Sequence, residues 1–257
     1  MSINNYLCDL ASTLVLSDVE KNGINTSVET IKKRLSYYST NIVEKTVFGS
    51  YTRGTILPRK ADSNSDIDIM VVFSNPYLYQ PQTFLNKLKD FAETYYTKSE
   101  IYQSSPTIVL ELNHIKFELV PAYKNIYGTY RIPKNSLEWQ DTYPNLFNNT
   151  LLECNKNNDY KIKPVIRLLK HWNIQKNYRD MASFKLEKEI AEQMKYSYIS
   201  CSSYTDYVKK ALETIKYYTN CSRVDTAIKT INEAIDYEKT NMPYTALSTI
   251  KKVFPEV

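Results

Sequence analysis

Two aspartates separated by one residue begin an apolar stretch that has the pattern of a β-strand. Asp66 and Asp68 lead into the nearly continuous apolar run IDIMVVF of residues 67–73. Successive side chains on a strand point to opposite faces, so both carboxylates lie on one face, about 7 Å apart. Oxygen ligands of this kind suit Mg²⁺, which takes few protein ligands and also binds phosphates. The alternative interpretation is a solvated strand face, because an Asp-x-Asp pattern alone is common.

A glycine and a serine stand just upstream, in the segment VFGSYTRGT of residues 47–55. Gly49 and Ser50 end a predicted strand and precede a predicted helix. A glycine there lets the backbone approach a phosphate, and the N–H groups of the helix start, with the Ser50 hydroxyl, can donate to it. Strand, Gly-Ser turn, helix and Asp-x-Asp strand together predict a site for a triphosphate and its metal.

A third carboxylate is expected from a neighbouring strand. Glu118 interrupts the apolar residues of KFELVP at 116–121, and alternation places it on the face opposite Phe117 and Leu119. Glu111, in the predicted partner strand, is the competing candidate.

Hydrophobic periodicity predicts the elements that position these residues. We predict strands at 43–48, 67–73, 107–112 and 115–120, the last two as a hairpin around residues 113–114. We predict helices at 3–20, 26–38, 81–98, 162–172, 183–195, 204–218, 223–238 and 245–253. The second helix is expected to begin at a capping box formed by Thr26 and Glu29. Residues 122–158, rich in Tyr, Asn and Pro, are predicted to be irregular, so a mixed α/β part precedes an all-helical part, which predicts two lobes.

Composition is that of an ordinary globular protein. The chain has 257 residues, 42% hydrophobic and 24% charged, with a formal net charge of +5. It contains neither a long apolar run nor a basic segment followed by an apolar one, so we expect a cytoplasmic protein with no membrane partner. The cysteines are scattered and are expected to be free thiols; they are Cys8, Cys154, Cys201 and Cys221.

Five segments then occur in a characteristic order: GSYTRGT, DIDIMVVF, FELVPAY, RLLKHWN and ASFKLE, spanning roughly residues 43–196. In these segments the sequence resembles the CD-NTases (cGAS/DncV-like nucleotidyltransferases) and oligoadenylate synthases of the polymerase-β-like superfamily. The resemblance implies an α+β fold with the active site in a cleft. It assigns residues 41–158 to a nucleotidyltransferase lobe with a mixed sheet and 159–257 to a helical lobe closing the cleft. Residues 1–40 are then N-terminal helices that pack on both lobes.

The resemblance also implies roles for individual residues. Asp66, Asp68 and Glu118 would be the catalytic residues and the ligands of two Mg²⁺ ions, with Mn²⁺ as a possible substitute. The residues expected to bind the nucleoside triphosphate are Gly49, Ser50, Arg53, Lys170, Ser183 and Phe184. Phe184 is expected either to stack on a base or to belong to the core.

The chain departs from the family pattern in two ways. The third acid is usually Asp and here it is Glu118, which puts metal geometry and acceptor choice in doubt. The loop from residue 51 to residue 65 is longer than in most of the superfamily. Its Arg59 and Lys60 are expected to be solvated, with Arg53 as the exception, while Glu187 is expected to pair locally rather than to catalyse.

The expected reaction is attack of an acceptor hydroxyl on the α-phosphorus of an NTP such as ATP, with release of pyrophosphate. We expect the acceptor to be a second nucleotide, which gives short cyclic or linear oligonucleotide signals for a downstream effector in bacterial anti-phage defence. The alternatives are linear (d)NMP polymer synthesis, transfer to a tRNA end or a partner protein, and an inactive nucleotide-binding module. A nucleic-acid acceptor is the less favoured of these, since binding of a long RNA requires a basic, aromatic-lined tract.

Overall fold

The computed structural model describes residues 1–75, 77–144, 146–219 and 221–257. These residues form two compact units. Unit 1 comprises Met1–Val15, Thr55–Ser63 and Phe147–Val257, and unit 2 comprises Leu16–Gly54 and Asn64–Leu146. The chain therefore leaves unit 2 after Gly54, contributes a short segment to unit 1 and returns at Asn64. The predicted roles of residues 1–40, 41–158 and 159–257 stay predictions.

The secondary structure alternates in unit 2 and is helical in unit 1. The helices are α1 (Ile3–Thr13), α2 (Asp18–Tyr38), α3 (Gly49–Arg53), α4 (Pro81–Tyr95), α5 (Leu146–Asn157), α6 (Ile162–Gln175), α7 (Ser183–Gln193), α8 (Tyr204–Lys216), α9 (Ser222–Lys239) and α10 (Pro243–Val253), with a 3-10 turn at Ser197–Ile199. The strands are β1 (Ile42–Phe48), β2 (Asp66–Phe73), β3 (Glu100–Ser104), β4 (Thr107–Glu111), β5 (Lys116–Lys124), β6 (Tyr130–Pro133) and β7 (Trp139–Thr142).

Unit 2 is built on a mixed sheet. Among the described residues it has seven strands, in the order β1-β2-β5-β4-β3, with β6 paired to β5 and β7 to β6. The pairing of β2 with β5 is parallel, and the other pairings are antiparallel. The predicted hairpin of β4 and β5 is confirmed. The mixed sheet thus sets two strands that are distant in sequence side by side.

One face of this sheet forms the core of unit 2. Ile67, Ile69, Phe117 and Leu119 are fully buried there, and helix α4 packs against strands β3, β4 and β5. Helix α4 begins at Pro81, whose fixed φ and missing N–H suit the first turn of a helix. Because side chains alternate, the residues between these apolar positions point to the other face.

The predicted start of the second helix was wrong. The capping box is formed by Ser17 and Glu20, with the Ser17 hydroxyl accepting from the Glu20 N–H and the Glu20 carboxylate accepting from the Ser17 N–H. Thr26 lies inside α2, where its hydroxyl donates to the carbonyl of Asn22. The sequence offers the same Ser/Thr-x-x-Glu spacing twice, and the first occurrence also places Asp18 at the positive end of the helix dipole.

The prediction of irregular structure at 122–158 was also wrong. Strands β6 and β7 have four residues each, and β6 pairs with β5 only at Tyr123 and Lys124, so neither strand shows a readable alternation. Helix α5 is rich in Asn, a weak helix former. It is stabilised by packing, since Leu151 and Cys154 are buried in the core of unit 1.

Besides α5, the core of unit 1 contains apolar residues of α1 and of helices α6 to α10, and part of the segment Thr55–Ser63. Leu57 and Ala61 of this segment are buried with the apolar residues of α6, among them Trp172. Asp62 is held by Arg179, whose Nη2 lies 2.6 Å from the Asp62 Oδ1. The segment is therefore fixed in unit 1 by apolar burial and by an ion pair.

Candidate active site

The strand register brings three predicted acids onto one face of the sheet. In the parallel pairing of β2 and β5, Asp66 is opposite Lys116 and Asp68 is opposite Glu118. All four point away from the core face. Glu111, the competing candidate, lies on β4 opposite Lys116. Strand β4 is one strand further from Asp68 than β5 is. The register thus favours Glu118 as the neighbour of the Asp66–Asp68 pair.

Lys116 lies among these acids and was missed by sequence reasoning. Its Nζ is 3.5 Å from the Asp66 Oδ2 and 3.4 Å from the Glu118 Oε1. Burial disfavours the ammonium, but the charges and hydrogen bonds of Asp66 and Glu118 outweigh burial and raise the pKa of Lys116. The sequence feature that could have revealed Lys116 is strand alternation. Lys116 and Glu118 flank the buried Phe117, so the lysine shares the face of the acid.

Burial dominates the electrostatics of Asp68. Desolvation raises the pKa of its carboxyl to about 8, and the negative charges of Asp66 and Glu118 add to this effect. The charges of Arg53 and Lys116 act in the opposite direction without reversing it. Thr107 completes the surroundings by donating a hydrogen bond of 3.3 Å to the Glu118 Oε2. Burial is thus the main reason why the Asp68 carboxyl keeps its proton more firmly than a solvated carboxyl does.

The glycine at the strand end is required by close packing against Asp68. Gly49 has φ +78°, in the left-handed region, and a Cβ added there would overlap the Asp68 Oδ2 and lie 2.9 Å from its Cγ. The turn is held by the Thr52 hydroxyl, which donates to the Gly49 carbonyl. Ser50 follows in the first turn of α3. The neighbouring carboxylate is thus one reason for the glycine, and the predicted approach of its backbone to a phosphate stays a prediction.

The basic residues of the long loop differ in their surroundings. Arg53 is buried, and its charge acts on the pKa of Asp68. Arg59 donates to the carbonyl of Ser63 and Lys60 is exposed. Arg53 was predicted to be the exception, and it is the basic residue of this loop that lies near the acids.

In unit 1, Lys170 is buried and paired. Its Nζ lies 2.5 Å from the Glu187 Oε1 and donates to the Thr55 carbonyl at 3.1 Å. The side chains of Lys170 and Glu187 are 7% and 1% exposed, so this is a buried ion pair. Glu187 was predicted to pair locally, but its partner is Lys170 on helix α6. The predicted contact of Lys170 with phosphates stays a prediction, and in this structure its ammonium is bound by protein oxygens.

Replacing Glu187 with Gln is expected to destabilise unit 1. The Lys170 ammonium would stay buried without its counter-charge, which costs about 3–5 kcal/mol. For a chain of this size that loss lowers the melting temperature by roughly 6–20 °C. Thermal and urea unfolding measure it.

The matched control is Glu192→Gln on the same helix, which breaks the exposed pair of Lys188 and Glu192 at 3.9 Å. Its effect is expected to stay within about 0.5 kcal/mol, as for other surface pairs. Equal effects of the two substitutions would contradict the importance of the buried pair.

Ser183 and Phe184 begin helix α7 and are exposed. Phe184 is 52% exposed and touches Phe147 edge to face, with ring centroids 5.3 Å apart. The interpretation of Phe184 as a core residue is therefore wrong, because half of its surface faces away from the protein. Contact of either residue with a nucleotide stays a prediction.

The donor chemistry of the acidic cluster fits a hard divalent cation. Asp66, Asp68 and Glu118 offer only oxygen atoms, and the pKa of Asp68 is raised first by burial and then by the negative charges of Asp66 and Glu118. Within the described ranges, no three Asp, Glu, His or Cys side chains are arranged so that they could hold an ion as they stand. The carboxylates would therefore have to turn toward one another to share a cation.

Other features agree with an ordinary globular chain. The four cysteines are free thiols, as predicted. In the part of the chain that the structure describes, no helix is long and apolar enough to cross a bilayer.

Two curated proteins are similar in sequence. A probable cyclic nucleotide synthase of Bacillus cereus is 27% identical over 189 residues, which cover 62% of this chain and 57% of that protein. A cyclic AMP-AMP-AMP synthase of Acinetobacter sp. is 27% identical over 231 residues, covering 84% of this chain and 65% of that protein. The chain thus spans less than two thirds of the length of each.

The fold has a close counterpart among solved structures. CdnC from E. coli MS115-1, determined with ATP, superposes with a TM-score of 0.76 at 14% identity, covering 99% of this chain and 98% of that one. This likeness confirms the predicted α+β, polymerase-β-like fold. The model of the Second Messenger Oligonucleotide or Dinucleotide Synthetase domain matches residues 1–155.

Proposed function

Because the chain belongs to the CD-NTase family of second messenger oligonucleotide or dinucleotide synthetases, we propose that it is a nucleotidyltransferase that joins nucleoside triphosphates into short oligonucleotides. An acceptor hydroxyl of one nucleotide attacks the α-phosphorus of another, and pyrophosphate leaves. Two similar proteins are named cyclic nucleotide synthases, which supports a cyclic product over a linear one.

The observation that carries this proposal is the acidic face of the sheet. Three carboxylates converge on it from two adjacent strands, and burial with mutual repulsion raises the pKa of Asp68 to about 8. A protein gains no stability from crowding like charges in a desolvated place, so such a cluster is typical of a site that binds cations. Divalent metal ions bound there would neutralise the triphosphate and activate the attacking hydroxyl.

The residues around the acids would orient the reactants. Gly49 allows the chain to turn directly over Asp68, and Ser50 follows with a hydroxyl that can donate to a phosphate oxygen. The Thr107 hydroxyl shares its proton between the Ser104 carbonyl at 3.0 Å and the Glu118 Oε2 at 3.3 Å, and the other Glu118 oxygen would bind a cation or accept a proton from the acceptor hydroxyl. Arg53 supplies a positive charge beside the acids. Positioning and charge compensation, rather than a covalent nucleophile, account for this chemistry.

The roles that we propose for three residues of unit 1 follow from the family resemblance. Lys170 and Ser183 would bind the triphosphate, and Phe184 would stack on a base with its exposed ring. The Lys170 ammonium has three N–H donors and contacts Glu187 and the Thr55 carbonyl, so donation to a phosphate would extend this network rather than replace it. ATP is the first substrate to test, because one relative is named a cyclic AMP-AMP-AMP synthase. A downstream effector and a role in anti-phage defence belong to the same proposal.

Product analysis tests the proposed reaction. The purified chain is incubated with Mg²⁺ or Mn²⁺ and each NTP and dNTP, singly and mixed, then treated with phosphatase and analysed by mass spectrometry. We expect short products that resist phosphatase, because a cyclic product has no terminal phosphate. The Asp66→Asn, Asp68→Asn double variant is expected to make none while keeping its circular dichroism spectrum.

The other outcomes separate the alternatives. A ladder of phosphatase-sensitive products would replace cyclic by linear synthesis. Product formation by the folded double variant would contradict the assignment of the acids. Nucleotide binding without any product would favour transfer to a macromolecule or an inactive nucleotide-binding module.

A further inference from the structure

Lys116 lies in the middle of a row of acidic residues that crosses the sheet. In the register of the strands, Glu111 on β4, Lys116 on β5 and Asp66 on β2 are direct neighbours. Glu118 follows two residues later on the same face. Lys116 therefore has an acidic residue beside it on each neighbouring strand and another two positions ahead on its own strand.

The contacts of Lys116 are those of an internal counter-ion rather than of a surface pair. Its ammonium bridges two acids, at 3.5 Å from Asp66 and 3.4 Å from Glu118. The side chains of Lys116, Asp66 and Glu118 are only 14%, 31% and 22% exposed. Charges at this depth interact more strongly than charges in water, because the local effective dielectric constant is lower. Lys116 therefore neutralises part of the charge that Asp66, Asp68 and Glu118 bring together.

The ammonium contacts the oxygen atoms that a divalent ion would need. Asp66 and Glu118 each direct an oxygen at Lys116, and within the described residues no three acidic side chains are arranged to hold an ion. A divalent ion entering this cluster meets both a competitor for its ligands and the repulsion of a positive charge. Either effect lowers the affinity of the cluster for the ion.

We propose that Lys116 is a resident counter-cation, which holds Asp66 and Glu118 in the metal-free protein and must move aside when a divalent cation binds. This inference rests on the proposed function, since it concerns the same acidic cluster. Lys116 is then a positioning residue that sets the concentration of divalent cation at which the acidic cluster is occupied. A lysine suits this role better than an arginine, because its ammonium is a point charge on a flexible stem and makes no planar two-bonded pair with a carboxylate.

The row of residues offers a place for the displaced ammonium. Glu111 is the cross-strand neighbour of Lys116 on the side away from Asp66. Paired positions on antiparallel strands have Cβ atoms about 5 Å apart, so rotation of the lysine stem is enough to bring its charge to that side. Lys116 thus neutralises charge on Asp66 and Glu118 before the cation binds, and it pairs with Glu111 afterwards.

The test measures Mn²⁺ binding by the full chain in the absence of nucleotide, by calorimetry and by the paramagnetic resonance of free Mn²⁺. Lys116→Met is expected to bind Mn²⁺ about tenfold more tightly than the wild type. Lys116→Arg keeps the charge and is expected to bind no more tightly than the wild type. The matched control is Lys134→Met, which removes an exposed lysine paired to Glu138 in the same unit and is expected to leave the affinity unchanged.

A second measurement covers stability. In the presence of a chelator, Lys116→Met is expected to melt at a lower temperature than the wild type, because the acids lose their counter-ion. Mn²⁺ is expected to raise its melting temperature by more than it raises that of the wild type. If Lys116→Met does not fold, Lys116→Gln serves in its place, since an uncharged amide can still donate to both carboxylates.

The outcomes separate this proposal from the proposed function. Unchanged or weaker Mn²⁺ binding by both uncharged variants, together with loss of binding in the Asp66→Asn, Asp68→Asn variant, would overturn the role of Lys116 and leave the metal site intact. Mn²⁺ binding that is undetectable in every variant, or that is the same in the double Asn variant as in the wild type, would overturn both.

Discussion

Replacing Asp68 with Asn is expected to abolish turnover and at the same time to stabilise the metal-free protein. The loss of activity should reach at least about 1,000-fold, because a charged ligand of the proposed metal site contributes several kcal/mol to transition-state stabilisation. The gain in stability follows from burial, since the Asp68 carboxylate is desolvated beside Asp66 and Glu118. We expect about 2 kcal/mol at pH 9, less than the full pKa shift implies, because the Asn amide is also desolvated.

The direction of the pH dependence follows from the raised pKa. The carboxyl has a pKa of about 8 in the folded protein and a reference value of 3.8. Between these values the folded protein keeps a proton that the unfolded chain has lost, so the stability of the wild type falls as the pH rises through this window. The Asn side chain does not titrate. The stability difference between variant and wild type is therefore expected to grow from about pH 4 to about pH 8 and to level off above.

Thermal unfolding in chelator across this pH range measures the effect. Asp141→Asn is the matched control, because Asp141 is half exposed and forms a surface pair with Arg131 at 2.9 Å. That control is expected to lose a few tenths of a kcal/mol and to keep wild-type turnover. A pH-independent or negative stability change in Asp68→Asn would show that the carboxylate is better solvated than the structure indicates.

Replacing Gly49 with Ala is expected to lower turnover about 100-fold in a protein that still folds. The added methyl group would overlap the Asp68 Oδ2, so the carboxylate has to move away from its neighbours. A displacement of about 1 Å in a catalytic group is enough for a loss of this size. Stability is expected to fall as well, because Gly49 has φ +78° and an L-residue in that region costs about 1–2 kcal/mol.

Gly128→Ala separates the two effects. Gly128 also has φ +78°, but a Cβ there would have no atom within 4 Å. The Gly128→Ala variant should therefore lose the same unfolding free energy from backbone strain and keep its activity. The additional loss in Gly49→Ala, expected to be about 1–3 kcal/mol in unfolding free energy, then reports the overlap with Asp68. Similar turnover in the two variants would show that the Gly49 turn does not control the position of Asp68.

The local part of the site could be predicted from the sequence because it depends on periodicity within single strands. Alternation along residues 66–73 and 116–121 decides that Asp66 shares a face with Asp68, and that Glu118 lies opposite Phe117 and Leu119. The same reasoning applied to Lys116 would have placed it beside the acids. The start of α2 was predicted wrongly because two Ser/Thr-x-x-Glu patterns compete there, and the first also sets Asp18 in the first turn.

Tertiary structure alone decided which strands are neighbours and in what register. Helix α4 and strands β3 and β4 lie between β2 and β5 in the chain. The parallel pairing of β2 with β5 sets Asp68 beside Glu118 instead of Glu111. That pairing also buries Asp68, which raises its pKa, and brings Lys116 into contact with the acids. The partner of Lys170 is likewise set by the packing of α7 on α6. The sequence by itself therefore determined which residues can do chemistry and which face each one shares. Their mutual distances, burial and charge partners depend on contacts between residues that are remote in the chain, which no local periodicity encodes.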